Sequence, residues 1–350
     1  MAMKILLLTQ KIDQTDSLLG FFTNWVIEFA RQAEKVTVIC LELERHDLTV
    51  PVFSLGKETG RSRFKYISNF YRLIVRERGN YDTVFVHMNQ EYVLLGAMVW
   101  KLLGKKVYLW RNHPNGGLLT RLAVLLSDRV FCTSDRSFTA RFKKTELMPA
   151  GIDTNIFKPP ASDFIRLPQS VLYLGRISSI KKVETIISAL NILAEKSVKF
   201  IAKFYGAGLD LPQEKKYYQA IRDQAKTLEQ NGAVNFLGLI ANTETPAIYQ
   251  NHEVLVNTTP TGSFDKVILE MMASGGLILI SNQSFRRYLP VDLQELFLCT
   301  ENDPADLAKK LEVLLALPLA DKQRLGQQLR EVVVAEHSLK SLVAKVVKPQ

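Results

Sequence analysis

The densest run of groups able to hold an anion reads VLYLGRISSIKK, Val171 to Lys182. Gly175 lets the chain turn as a strand predicted over 170–174 ends, Arg176 follows at once, and Lys181 arrives five residues later at a helix start. Two cations beside helix N-terminal amides suit a diphosphate of roughly two negative charges. Taken alone, the group serves a structural or surface role equally well. FYGAG, Phe204 to Gly208, follows another predicted strand, and Gly206 and Gly208 permit close approach of backbone to a ligand such as a nucleotide. Leu211 stands where a dinucleotide fingerprint needs its third glycine, so an ordinary strand-to-helix turn is as good a reading.

Two further runs have the same form. In VNFLGLI, Val234 to Ile240, Gly238 closes a strand, and the backbone of Leu237 and its neighbours is placed to read a base edge. In TTPTGSFDKVILEMMASGG, a turn at Gly262 and Ser263 leads into a helix predicted from Phe264 or Asp265. Its unpaired N–H groups suit an anion or a sugar hydroxyl, and Glu270, about one and a half turns on, suits a ribose diol. The first half offers Gly20 just before a helix, His113 after the strand KVYLWR and His87 after DTVFV. Each histidine has two readings, pH-tunable chemistry at a strand end or a structural role.

Taken in order, these pieces resemble the donor domain of family-4 glycosyltransferases of the GT-B fold. The likeness rests on PAGID at Pro149 to Asp153, the Gly175, Arg176, Lys181 element, the Gly206, Gly208 turn, FLG at Phe236 to Gly238, and LEMMASG at Leu269 to Gly275. The terminal EHSLKSLVAKVV is similar to the family's closing helices, which cross back onto the first domain.

The resemblance implies two Rossmann-like domains facing each other across a cleft, with Arg176 and Lys181 on the donor diphosphate and Glu270 on the ribose. It sets Leu237 and Gly238 toward the base, and Gly262, Ser263 and the amides of Phe264, Asp265 and Lys266 toward sugar or phosphate. Gly20 is likened to the glycine loop approaching the donor from the other domain, and His113 to a histidine near the transferred sugar.

The implied reaction is retaining transfer of a hexose from a UDP- or GDP-sugar to a lipid-linked or glycan acceptor. It needs no covalent nucleophile and no cofactor besides the donor. No Asp-x-Asp pair is present, so metal independence is expected. One departure stands out: the family commonly places a second Glu eight residues before the ribose-binding one, and Gly262 is found there. Asp265 is near enough in sequence to replace that carboxylate. Otherwise the chain is a nucleotide-sugar-binding relative without catalysis, and a nucleotide-sugar epimerase on the same plan is a further alternative.

The elements that must carry these motifs alternate short β-branched runs with helical patterns, as parallel βαβ units do. Strands are predicted near 3–9, 35–41, 49–54, 82–87, 105–110, 129–132 and 145–148, then near 170–174, 198–205, 233–237, 253–257, 276–280 and 296–299. The expected domains are 1–150, a Pro-rich linker 151–168, a donor domain 169–330 and a returning helix 331–350.

At 350 residues, 47% hydrophobic and 23% charged, the chain has the composition of an ordinary two-domain globular protein. The odd, scattered Cys40, Cys132 and Cys299 suggest neither disulfides nor zinc, hence a reducing, cytoplasmic setting. Residues 1–150 hold 22 Lys+Arg against 14 Asp+Glu, a net +8 of the total +10. Arg61, Lys65, Arg72 and Arg76 line one side of a helix whose other side is Ile67, Phe70, Tyr71 and Ile74. Two readings stay open: a solvated face over a packed stripe, or a helix peripheral to an anionic membrane's inner face. Nucleic acid is excluded as a partner because no binding motif accompanies the charge.

Overall fold

The computed structural model describes residues 3–16, 19–161 and 164–347, and it divides into two compact units. The first comprises Met1–Gly151 with Leu339–Gln350, the second Ile152–Ser338.

In the first unit the strands are β1 Lys4–Ile12, β2 Lys35–Leu43, β3 Val52–Ser54, β4 Thr83–His87, β5 Lys106–Trp110, β6 Arg129–Cys132 and β7 Thr145–Leu147. Its helices are α1 Phe21–Gln32, α2 Arg63–Arg76, α3 Gln90–Leu102 and α4 Leu118–Leu126. The strands form one parallel sheet ordered β3-β2-β1-β4-β5-β6-β7. Side chains of a strand alternate between faces, so Ile5 and Leu7 of β1 join Phe22, Trp25 and Phe29 of α1. Leu6 and Leu8 join Phe70, Ile74 and Trp100 on the opposite face, beneath α2, α3 and α4. The apolar stripe of α2 is packed in part: Phe70 and Ile74 are buried, and Tyr71 is half-buried with its hydroxyl donating to the Leu95 carbonyl at 2.9 Å, while Ile67 is exposed.

The second unit contains β8 Ser170–Leu174, α5 Val183–Glu195, β9 Ile201–Tyr205, α6 Pro212–Gln230, β10 Val234–Gly238, α7 Thr245–Asn251, β11 Val254–Asn257, α8 Lys266–Ala273, β12 Leu277–Ile280, α9 Gln294–Phe297, α10 Pro304–Ala316 and α11 Leu319–Val332. Its sheet is also parallel, ordered β10-β9-β8-β11-β12. Strand order reverses between β8 and β11, the place beyond whose carboxyl ends open parallel sheets hold ligands. Local chemistry sets the helix ends: Asp303 accepts from the Ala305 and Asp306 amides at 3.0 Å, and Pro304 needs no amide partner at the first position of α10.

The last helix, α12 Leu339–Val347, lies in the first unit, where Leu342, Val343 and Val346 pack with Trp25 and Phe29. Gly151 explains part of that closeness, since at φ +73° a Cβ there would meet Trp25 at 2.8 Å and Leu342 at 2.9 Å.

The two parallel α/β sheets are the expected architecture. The strand expected at 296–299 is not formed. Residues Gln294–Phe297 are helical, and Leu298 makes a single bridge to Ile280. LFLC is four apolar residues without a period, and burying Phe297, Leu298 and Cys299 satisfies it without a full ladder. Among the described residues no helix is long and apolar enough to cross a membrane.

Candidate functional site

Three loops leave the carboxyl ends of β8, β9 and β10 and clasp one another. The Gly175 amide donates to the Tyr205 carbonyl at 2.9 Å, Ile177 to Ala207 at 3.0 Å, and Gly206 to Gly238 at 2.8 Å. A Cβ on Gly206, at φ +143°, would fall 1.8 Å from the Gly175 carbonyl oxygen, and one on Gly208 would fall 3.1 Å from Tyr218. The close approach these two glycines permit is thus one of loop on loop and loop on helix. It fixes the turn from which Arg176 projects. Gly238 is left-handed at φ +76° with open space around it, beside an exposed Leu237.

The cations of this turn differ in state. Arg176 is exposed, and its guanidinium has no ion pair among the described residues; its carbonyl accepts from the Tyr173 hydroxyl at 2.6 Å. Lys181 instead donates to both oxygens of Asp265 at 2.7 Å, with both side chains largely shielded from solvent. Asn257 at the end of β11 donates to Asp265 at 3.0 Å and Thr259 at 2.6 Å. Burial pushes the Asp265 carboxyl upward, but the Lys181 charge and these donors outweigh it and hold the group below the usual carboxylate range. The Thr258 hydroxyl, 2.8 Å from the Lys181 carbonyl, ties the loops on the two sides of the reversal together.

Helix α8 begins beside this pair. Glu270 accepts from the buried Tyr249 hydroxyl at 2.8 Å, and burial raises its pKa against that bond and the charge of Lys266. Lys266, one helical turn before Glu270, has its own pKa brought down to about 8 by burial, with Glu270 opposing. The sequence reading used only the Lys266 amide and missed both its ammonium and Tyr249. The i, i+4 spacing of Lys266 and Glu270 was the available signal for the first. Nothing in the sequence pointed to the second.

Gly262 now has a physical reason. Its φ is +96°, a conformation costly for glutamate, and its amide donates to Ser284 Oγ at 2.9 Å. Around it the Thr261 hydroxyl donates to Glu301, Asn282 donates to the Ser263 carbonyl at 2.8 Å, and Phe264 stacks on Phe285. The loop is a formed structure.

In the first unit Gly20 opens α1, where a Cβ would meet the Asp16 carbonyl at 2.5 Å. His87, at the end of β4, is buried, stacked on Phe22 with ring centroids 4.3 Å apart and flanked by Phe21 and Trp25. That setting answers to a structural histidine. His113 is exposed, and its Nδ1 lies 3.0 Å from the Asn115 amide.

A cavity of about 230 Å³ lies at the other pole of the second sheet, by the amino ends of β11 and β12. Its charges are internally satisfied: Arg166 donates to the Tyr249, Gln250 and His252 carbonyls, and Lys322 pairs with Glu253 at 2.7 Å. The motifs lie elsewhere.

Residues 161–332 match the family model for glycosyl transferases group 1. Alpha-monoglucosyldiacylglycerol synthase of Streptococcus pneumoniae is 24% identical over 223 residues, 59% of this chain and 48% of that protein. Mannosylfructose-phosphate synthase of Agrobacterium fabrum is 27% identical over 143 residues, 38% of this chain and 31% of that protein. The matches thus span about half or less of these curated relatives. Among solved structures, Anabaena Alr3699/HepE in complex with UDP and glucose superposes with a TM-score of 0.73 at 18% identity, covering 98% of both chains. A glycosyltransferase from Rickettsia africae superposes at 0.72 and 15% identity, covering 98% of this chain and 97% of that one. The fold is GT-B.

Proposed function

We propose that this chain, whose residues 161–332 form a glycosyl transferases group 1 domain, transfers a hexose from a UDP- or GDP-sugar to a lipid-linked or glycan acceptor. The observation that carries the reading is the Lys181–Asp265 pair, which ties the loop after β8 to the start of α8 at the strand-order reversal between β8 and β11, with Arg176 exposed on the same loop. Breaking the bond between an anomeric carbon and a diphosphate leaves positive charge on the sugar and new negative charge on the leaving group. Preorganised cations and helix N-terminal amides stabilise that second charge.

In this reading Arg176 and Lys181 hold the diphosphate, and Glu270 accepts from the ribose while Tyr249 fixes its orientation. Asp265 keeps the Lys181 ammonium in place and presents its carboxylate where Gly262 supplies none. The acceptor proton passes to a departing phosphate oxygen on the same face of the sugar, so configuration is retained. Neither metal nor covalent nucleophile is required. The protein would work in the cytoplasm.

The relatives are consistent with such donors and acceptors: one solved neighbour holds UDP and glucose, and one curated relative is named for a glucosyldiacylglycerol. The test is incubation of the full chain with labelled nucleotide sugars and acceptor panels. Transfer with retained configuration, undiminished by a chelator, is expected, and loss of transfer on chelation would remove the metal-independent mechanism. Gly262 keeps a second reading in play, a binder without catalysis. Tight donor binding with neither transfer nor hydrolysis would decide for it.

A further inference from the structure

Helix α4 reads LLTRLAVLL and is apolar nearly all round, as a helix enclosed by protein would be. Only one side is enclosed: Thr120, Ala123 and Val124 are buried, while Leu118, Leu122 and Leu125, at i, i+4 and i+7, face solvent with Leu119 beside them. Leu118 is 85% exposed and Leu125 69%. The neighbouring α3 adds Met98 and Leu102, the latter 85% exposed. Four leucines in register on one short helix, continued onto its neighbour, are more than the scattered exposed apolar groups of an ordinary surface.

The charge around this patch is mostly of one sign, with exposed Glu91 at the start of α3 and Asp128 just after α4 as the flanking acids. From Tyr92 to Ser127, and again from Thr59 to Arg76 on α2 in the same helical layer, there is no Asp or Glu. Lys65, Arg72, Lys101 and Arg121 are exposed, and none has an acidic partner among the described residues. A partner protein's interface is usually depleted of lysine. A bilayer surface takes leucines at its acyl boundary and Lys or Arg at anionic headgroups. We infer that the outer face of α3 and α4, with the cations of α2 beside it, docks this unit on an anionic lipid surface. The docking element is thus α4, whereas of the α2 stripe that first suggested a membrane Phe70 and Ile74 are packed on the sheet and Ile67 is exposed.

This inference rests on the proposed lipid-linked acceptor only for its purpose. Vesicle binding is measured without transfer, so failure of either is distinguished from failure of the other. The full chain is floated with phosphatidylcholine vesicles, alone or with about 30% phosphatidylglycerol, at low salt and at about 0.5 M NaCl. Preferential binding to the anionic vesicles is expected, weakened by salt. Leu118→Glu with Leu122→Glu should lower it at least roughly tenfold, and Lys101→Glu with Arg121→Glu roughly fivefold per charge removed. Val313→Glu, at an exposed position of α10, should leave it unchanged. Circular dichroism confirms that each variant is folded. Equal binding of wild type and α4 variants, or no preference for the anionic vesicles, overturns the proposal. So does a wild-type dimer in sedimentation that the leucine variants dissociate, which would assign the patch to a second copy.

Discussion

Both sheets reverse strand order, between β1 and β4 in the first unit and between β8 and β11 in the second, yet the cations at the two reversals are neutralised to different extents. Lys11, near the end of β1, is held by Asp13 at 3.0 Å, Asp16 at 3.1 Å and Glu42 at 3.7 Å, and Asp13 raises its pKa most. Nothing is left over for a ligand anion. In the second unit Arg176 has no ion pair among the described residues, Lys181 has one carboxylate partner, and burial makes the Lys266 ammonium less stable. Topology makes each reversal a place where such sheets can hold a ligand, and in the proposed reading the balance of acids and cations selects the second for a diphosphate.

The sharpest way to break this contrast is to remove one cation from each reversal. Arg176→Ala should lower kcat/KM for transfer by roughly 10²–10³-fold with the fold intact, as loss of other preorganised charge contacts does. Lys11→Ala should leave transfer near wild type and cost about 1–3 kcal/mol of stability, since three carboxylates lose their common partner. Steady-state kinetics and thermal melts read both; equal losses of transfer would erase the distinction.

Asp265→Ala is the next largest. It frees Lys181 from its anchor, and transfer should fall roughly tenfold to a hundredfold through misplacement of the ammonium. A rise in activity would mean that the ion pair is inhibitory.

Lys266 gives a pH dependence. Its folded pKa of about 8 lies below the ordinary lysine value of 10.5, so the unfolded chain binds more protons between them. Stability should rise with pH across that interval in wild type and not in Lys266→Met. Donor affinity should fall as the ammonium is lost above about 8. Parallel pH profiles for the two proteins would contradict a buried, titrating lysine.

Gly206→Ala is read in stability alone, expected to cost at least roughly 1–3 kcal/mol by forcing the β8 and β9 loops apart. An unchanged melting point would show that the loops do not clasp.

What could be read in advance follows the range of each interaction. RVFC at 129–132 was read as the strand it forms, because a β-branched apolar run between turn residues is a local signal. LFLC, apolar but without a β-branched residue, became helix and bridge, because its partner Ile280 is set by the tertiary fold. At the site, Arg176 and Lys181 were legible from spacing within one turn. Lys181 on Asp265 joins residues 84 apart and Tyr249 on Glu270 residues 21 apart, so no local pattern announces either. Gly206 was read either as room for a ligand or as an ordinary strand-to-helix turn, and its first constraint is the Gly175 carbonyl on another loop, which no local pattern announces.

The most direct measurement is a thermal-shift titration of wild type and the Arg176→Ala, Lys181→Ala double variant with UDP-, GDP-, ADP- and CDP-sugars. A donor site at the β8–β11 reversal requires that one of them raise the wild-type melting point and that the shift vanish in the folded double variant. An undiminished shift in the double variant, or none in wild type with any of the four, would contradict it.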